Sequence, residues 1–229
     1  MTLSVHPFLG AFLGIVALLG AHSEVKAETK DGQYQRNEQH YKLPDLKLVD
    51  TENRQVVFSE LVRGNPPVLV NFVFASCTTL CPILTATFAK AQTLLAEAKE
   101  PARFVSISID PEQDTPEQLK KYAEHYKAGP DWIFLTGEAD AIESLQKAFA
   151  AYRGGKANHP SLVLIRARAD GPWIRLEGAL SAATLVKELR AAKPSLQNQS
   201  EHEHQPHQAS FDYGDGTVQE FSHAYHTAY

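Results

Sequence analysis

An apolar run, Val68-Leu69-Val70-Asn71-Phe72-Val73-Phe74, leads within three residues into Cys77-Thr78-Thr79-Leu80-Cys81, and a helical rhythm starts at Pro82. A run this short and this apolar reads as a strand buried in a sheet, with helices packed against it. Strand, loop and helix together deliver two thiols to a helix N-terminus. The free N–H groups there favour anions, lower a thiol's pKa and supply thiolate, which is both nucleophile and metal ligand. The Cys-x-x-x-Cys spacing predicts both sulfurs on one helical face, where they can share a metal or close a disulfide. The chain has two cysteines in all, too few for a disulfide framework. A disulfide between them closes too short a loop to stabilise much. Two uses stay open on spacing alone, a redox dithiol and a soft-metal site.

The pattern around this junction alternates. A strand is expected at Leu43–Val49, one helical turn at Phe58–Val62, and the buried strand at 68–74. The helix from Pro82 to Ala98 places Leu84, Phe88, Ala91, Leu94 and Leu95 at a 3.6-residue period. A strand follows at Phe104–Ile109. Thr115-Pro116-Glu117-Gln118 then opens a helix, with Thr115 as N-cap, Pro116 at the first helical position and Gln118 closing a capping box. Next come a short strand at Trp132–Leu135 and a helix at Ala139–Tyr152, stopped by Gly154-Gly155. Strands Ser161–Arg166 and Trp173–Glu177 make a hairpin over Gly171-Pro172, and a helix at Ser181–Ala192 closes the domain. The order, β-α-β units first and β-β-α last, predicts an α/β thioredoxin-like fold: a central mixed sheet flanked by helices, over residues 41–193.

The flanks read differently. No Asp, Glu, Lys or Arg precedes Glu24, and the apolar stretch Phe8–Ala21 is 14 residues long. A membrane-spanning helix needs about 20 residues, whereas the apolar part of an export signal runs to roughly 7–15. Residues 1–27 are therefore expected to be a signal peptide or N-terminal anchor, and residues 28–40 a polar tether. Export implies an oxidising compartment, in a bacterium the periplasm or the outer face of the inner membrane, with membrane anchoring if the segment is retained. Beyond Pro194 the composition shifts to Gln, His, Ser and Gly, so 194–229 is expected to be a His-rich, flexible tail. It holds five of the ten histidines, His202, His204, His207, His223 and His226. These read as a solvated tail, with Cu(II) or another borderline metal as the alternative. A formal net charge of −5 gives no basic face for nucleic acid.

His159 narrows the choice left by the cysteines. It precedes Pro160 and the strand from Ser161. In a thioredoxin-like fold the Xaa-Pro entering this strand lies beside the cysteines, often as a cis peptide; the placement follows from the expected fold, not from spacing. Two thiolates and one imidazole suit Cu(I), and with a further donor Cu(II); a closed structural zinc site usually has four protein ligands. Asp110 and Asp114 read first as capping residues at a strand end and a helix start, and His125 as solvated surface.

Three separated motifs carry a resemblance. Asn71-Phe72-Val73-Phe74-Ala75-Ser76-Cys77-Thr78-Thr79-Leu80-Cys81-Pro82, then Ser108-Ile109-Asp110-Pro111-Glu112-Gln113-Asp114-Thr115-Pro116, then His159 before a strand, resemble the Sco/SenC family of thioredoxin-like copper-binding proteins. The resemblance covers about residues 41–193. It implies copper as cofactor, with Cys77, Cys81 and His159 as its ligands. It also implies delivery to the copper site of cytochrome c oxidase during assembly. The partners would be the copper-bearing oxidase subunit or another copper acceptor, and a thiol reductant. The Asp110–Asp114 loop would lie near the metal, in a docking or supporting role. The chain departs from the family in having Thr78 and Thr79 where Pro and Asp are usual, Gln113 where Arg is usual, and proline after the histidine. His159-Pro160 is closer to redox-active thioredoxin relatives. A thiol-disulfide oxidoreductase using Cys77 and Cys81 on the acceptor or other exported proteins is therefore the alternative. A thiol peroxidase ranks below both: Val73 and Phe74 stand where the usual Pro-x-x-x-Thr/Ser-x-x-Cys approach would place other residues.

Overall fold

The strand Val68–Val73 (β4) is buried at every position, as an apolar run without alternation requires. In the computed structural model, which describes residues 34–193, it lies inside an eight-stranded sheet. Strands Arg103–Ser108 (β5) and Trp132–Thr136 (β6) run parallel to it in sequence along one side. On the other side come Leu162–Arg166 (β7), antiparallel to β4, and Trp173–Gly178 (β8), antiparallel to β7. The sheet is mixed, as expected. Tyr34–Gln39 (β1) closes the β8 edge, while Lys47–Asp50 (β2) and Gln55–Val57 (β3) extend the β6 edge.

Neighbouring residues of β4 feed two separate cores, as a period of two dictates. Val70 and Phe72 pack with Leu164, Val105 and Ile107 under the helix Ala139–Ala148 (α4), which contributes Ile142 and Leu145; Phe58, from the short helix Phe58–Leu61 (α1), joins them. Leu69 packs on the opposite face with Phe104, Val163 and Ile165. There it is covered by Leu84, Phe88, Ala91 and Leu95 of the long helix Leu80–Glu97 (α2) and by Leu185 and Leu189 of Ala182–Ala192 (α5). Leu119 of Pro116–His125 (α3) joins this second core. Asn71, the one polar residue in the strand, accepts from Ser106 Oγ at 2.7 Å, and Ser106 in turn accepts from Trp132 Nε1 at 2.9 Å.

The topology gathers three chain ends at one edge of the layer. β4 and β5 are parallel, so the loops after Val73 and after Ser108 leave the sheet at the same end. β7 is antiparallel to β4, so it enters at that end, directly after His159-Pro160.

Several expectations are corrected. Residues 34–39, assigned to the polar tether, form β1 and pair along their length with β8. The strand expected at 43–49 is reduced to 47–50 and pairs with the additional strand 55–57. α2 begins at Leu80, two residues early, because Pro82 sits in the first turn, where its missing N–H has no partner to lose. Only Cys81 is therefore on the helix; Cys77 precedes it. α4 ends at Ala148, short of Tyr152. Thr115 caps α3 by accepting from the Gln118 N–H, but its own N–H goes to Gln113 O, so the box is half formed. Among the described residues the cis peptide is Asn65–Pro66; His159–Pro160 is trans. The expectations for residues 1–27, for the tether before residue 34 and for the His-rich tail lie outside the described residues. Among the described residues, no helix is long and apolar enough to cross a membrane.

Candidate metal centre

At the shared edge the Cys77 and Cys81 sulfurs and a His159 ring nitrogen come within 4.8 Å of one another. This is the one group of three or more potential metal ligands among the described residues. The three residues are placed by different elements and differ in exposure.

Cys77 sits in the loop, its N–H donating to Phe74 O at 3.1 Å, and is half-buried. Its sulfur accepts from the Cys81 N–H at 3.4 Å. The thiol thus takes a free donor of the α2 N-terminus, where no side chain of the N-cap residue Thr79 does so. Burial alone would raise this thiol. The N–H groups of Cys81 and Thr79, with the side chains of both residues, outweigh burial and bring it down to about 7. Cys81, in the first turn of α2, is 1% exposed. Burial, together with the negative charges of Cys77 and Asp114, pushes its thiol up to about 12, against the pull of the Phe74 backbone. The pair is therefore unequal, one thiol half ionised at neutral pH and the other protonated.

His159 follows a 3-10 turn at Lys156–Asn158 and is 9% exposed. Its Nε2 lies 3.3 Å from Cys81 Sγ and its Nδ1 lies 3.2 Å from Pro160 O. A carbonyl only accepts, so Nδ1 carries the proton and the Nε2 lone pair faces the sulfurs. Burial lowers this imidazole below its ordinary pKa, which keeps it neutral, and the Pro160 bond opposes the shift. The ring stands edge-on to Phe74, with centroids 5.5 Å apart.

The donor set fits a soft ion. Metal–sulfur bonds of about 2.3 Å and metal–nitrogen bonds of about 2.0 Å put the donors of a trigonal site about 4 Å apart, close to the spacing seen here. Two sulfurs and one imidazole select Cu(I) over harder cations. The Nδ1–H bond to a backbone carbonyl is the kind of support that fixes a ligand histidine's ring.

The neighbouring carboxylates do other work than capping. Asp114 is 2% exposed and accepts from the Ala75 N–H at 3.0 Å and from Ser108 Oγ at 2.6 Å. It ties the cysteine loop to the end of β5. Burial raises its pKa, partly offset by these two hydrogen bonds. Asp110 accepts from Lys156 Nζ at 2.5 Å, and the Lys156 ammonium lies 5.8 Å from the Phe74 ring centre. Phe74 and Lys156 thus belong to the site's wall. In the sequence Phe74 stands out as part of the apolar run and of the motif around the cysteines, with nothing to mark it as a neighbour of His159, and Lys156 carries no signal. His125 is exposed at the end of α3, against Tyr126, and joins no ligand group among the described residues.

Comparison with known proteins gives a consistent picture. The SCO1/SenC family model matches residues 34–170. The SCO1 protein homolog of Bacillus subtilis is 33% identical over 123 residues, which are 52% of this chain and 63% of that protein. Protein SenC of Rhodobacter capsulatus is 37% identical over 86 residues, 38% of each chain. The chain spans between half and two thirds of the first curated relatives it matches. Among solved structures, BsSco is described as a member of the Sco family of cytochrome c oxidase assembly proteins with a disulfide switch. It superposes with a TM-score of 0.58 at 26% identity, covering 68% of this chain and 95% of that one.

Proposed function

The chain belongs to the SCO1/SenC family, and from that premise we propose that it is an exported copper chaperone. It binds one copper ion through Cys77, Cys81 and His159 and hands it to the copper site of cytochrome c oxidase during assembly. One observation carries the reading: three soft donors, remote in sequence, converge within 4.8 Å of one another. The neutral imidazole supports it, because a lone pair aimed at two sulfurs suits metal binding. BsSco's description as an assembly protein supports the choice of acceptor. Copper is cargo here, and the residues manage its protons. Cys77 offers thiolate at neutral pH, Cys81 gives up its proton as the ion arrives, and His159 needs no deprotonation at Nε2. Oxidation of Cys77 and Cys81 to a disulfide would remove two of the three donors.

The test is a Cu(I) titration of the reduced protein. One tight site is expected, reduced to a weak two-ligand site in Cys77→Ala and weakened about tenfold or more in His159→Ala, as loss of an anchored ligand implies. Full affinity in His159→Ala would remove the ligand assignment. The second reading, a thiol-disulfide oxidoreductase, draws on the inequality of the thiols, since a partly exposed, ionised Cys77 is a nucleophile and Cys81 a buried partner. Disulfide turnover by metal-free protein, unchanged in His159→Ala, would favour it. Export, through residues 1–27 as cleaved signal or retained anchor, is part of the proposal; N-terminal sequencing of the secreted fraction tests it.

A further inference from the structure

Among the described residues, the large apolar side chains left open to solvent are Leu80, 47% exposed, and Ile83, 67% exposed. Both flank Cys81 on the first turn of α2. Their neighbours extend the patch: Thr78 and Thr79 are exposed, and Ala179 is exposed beside a half-buried Leu180. Thr87 Oγ1, one turn beyond Ile83, donates to Ile83 O and lies 3.4 Å from Leu180 O, which brings the β8–α5 loop onto this face. The buried positions Leu84, Phe88, Ala91 and Leu95 already fill the other face of α2. Leu80 and Ile83 therefore contribute nothing to the core, and nothing in the fold explains two bare hydrophobes beside a ligand cysteine.

We infer that this surface docks the acceptor: a protein that presents its own thiol from an uncharged, apolar rim. The inference rests on the proposed chaperone function. Cys81 and His159 are closed off by burial, so an incoming donor reaches the ion from the Cys77 side, across Thr78, Thr79, Leu80 and Ile83. Charge selects the kind of partner. No Asp, Glu, Lys or Arg occurs from Ala75 to Ala89, and the nearby Lys156 is neutralised by Asp110. A surface of this kind matches the charge-poor centre of a protein interface. A lipid surface would call for basic residues beside the apolar ones, and this stretch has none. In the exchange the acceptor thiol loses its proton and bonds copper, the copper–Cys77 bond breaks, and the freed thiolate can take up the proton; copper keeps its oxidation state.

The test compares a protein acceptor with a small one. Copper-loaded wild-type protein, Leu80→Asp, Ile83→Asp and, as a charge control off the patch, Gln118→Glu are mixed with the reduced apo copper domain of an oxidase subunit. In parallel they are mixed with bathocuproine disulfonate, which needs no docking surface. The expected result is transfer to the domain slowed about tenfold or more by either patch substitution, with chelator transfer and copper stoichiometry unchanged and Gln118→Glu like wild type. Equal slowing toward both acceptors, or no slowing, overturns the inference. So does a concentration-dependent dimer that Ile83→Asp abolishes, which gives the face to a second copy. Flotation of wild type but not Ile83→Asp with phosphatidylcholine vesicles gives it to lipid and likewise overturns the inference. If wild-type protein takes up no copper, the proposed function falls instead. Docking is then judged by reduction of the domain's own disulfide, which Ile83→Asp should slow while reduction of a small aromatic disulfide is unaffected.

Discussion

Copper binding to this site should strengthen with pH along a curve set by the two unequal thiols. Each ligand proton must leave as the ion binds, so the slope of log affinity against pH equals the protons displaced. At pH 7 Cys77, lowered to about 7, carries a proton in half the molecules, and Cys81, raised to about 12, in nearly all. Burial lowers His159, so any proton it releases adds to the slope only toward the acid end. The two thiols alone give a slope of about 1.9 at pH 6, about 1.5 at pH 7 and about 1 at pH 9. Integrated from pH 6 to pH 8, Cys81 contributes about two decades and Cys77 about one. That is roughly a thousandfold gain, or about 4 kcal/mol. The sign follows from the acids: binding is weaker wherever the thiols hold their protons, so affinity falls as pH falls. Competition against a Cu(I) chelator of known proton affinity, under anaerobic reducing conditions, measures it. A gain of about four decades would mean that Cys77 is an ordinary thiol, its N–H contacts without effect. A constant slope of one would mean that Cys77 loses no proton on binding, so its thiol is not half ionised at pH 7. His159→Ala should lower the whole curve and leave its shape intact.

The same inequality predicts the order of alkylation in reduced, metal-free protein. Iodoacetamide should modify Cys77 first, with a rate midpoint near its lowered value of about 7, and reach the 1% exposed Cys81 much later; mass spectrometry of digested samples reads both. Asp114→Ala leaves the Ala75 N–H and the Ser108 hydroxyl without their acceptor, which should cost about 1–3 kcal/mol in urea unfolding. Phe88→Ala, at a fully buried residue of α2 against Phe104, should cost about 3–5 kcal/mol in the same assay; a loss under 1 kcal/mol would contradict the packing described.

Most of the sheet, and the three side chains that cluster at its edge, were legible because burial leaves a periodic imprint. β4 has no alternation since helices cover both of its faces, and α2 shows its apolar stripe from Leu84 onward. His159 was found less directly, through the expected fold order. What escaped notice has physical reasons. β1 reads Tyr-Gln-Arg-Asn-Glu-Gln and is exposed along most of its length. Its pairing uses backbone groups that every residue carries, so no side-chain pattern marks it. Asp114 was read as a cap because a carboxylate just before a helix looks the same whether it turns to its own helix or crosses to another loop. The first turn of α2 was missed because Pro82 looks like a helix start, although a first turn tolerates proline at any position whose N–H is free.

On the proposed function, the unequal thiols also set which bond to copper breaks first as the ion is handed on. If Cys81 let go first, it would leave a thiolate in a site that is 1% exposed, where its proton is held up to about pH 12 and an unpaired charge is costly. If Cys77 leaves first, its thiolate is already the half-populated form at neutral pH, held by the N–H groups of Cys81 and Thr79. The favourable order therefore opens the ion on the side where Thr78, Thr79, Leu80 and Ile83 lie, while Cys81 and His159 hold it from behind. A Cys77→Ser variant carrying copper on the two remaining ligands should accordingly pass it to a thiol acceptor faster than wild type. A Cys81→Ser variant should keep the wild-type first step, because Cys77 is still the group that must be displaced. Stopped-flow transfer to excess glutathione separates the two, and the opposite ranking would refute the order.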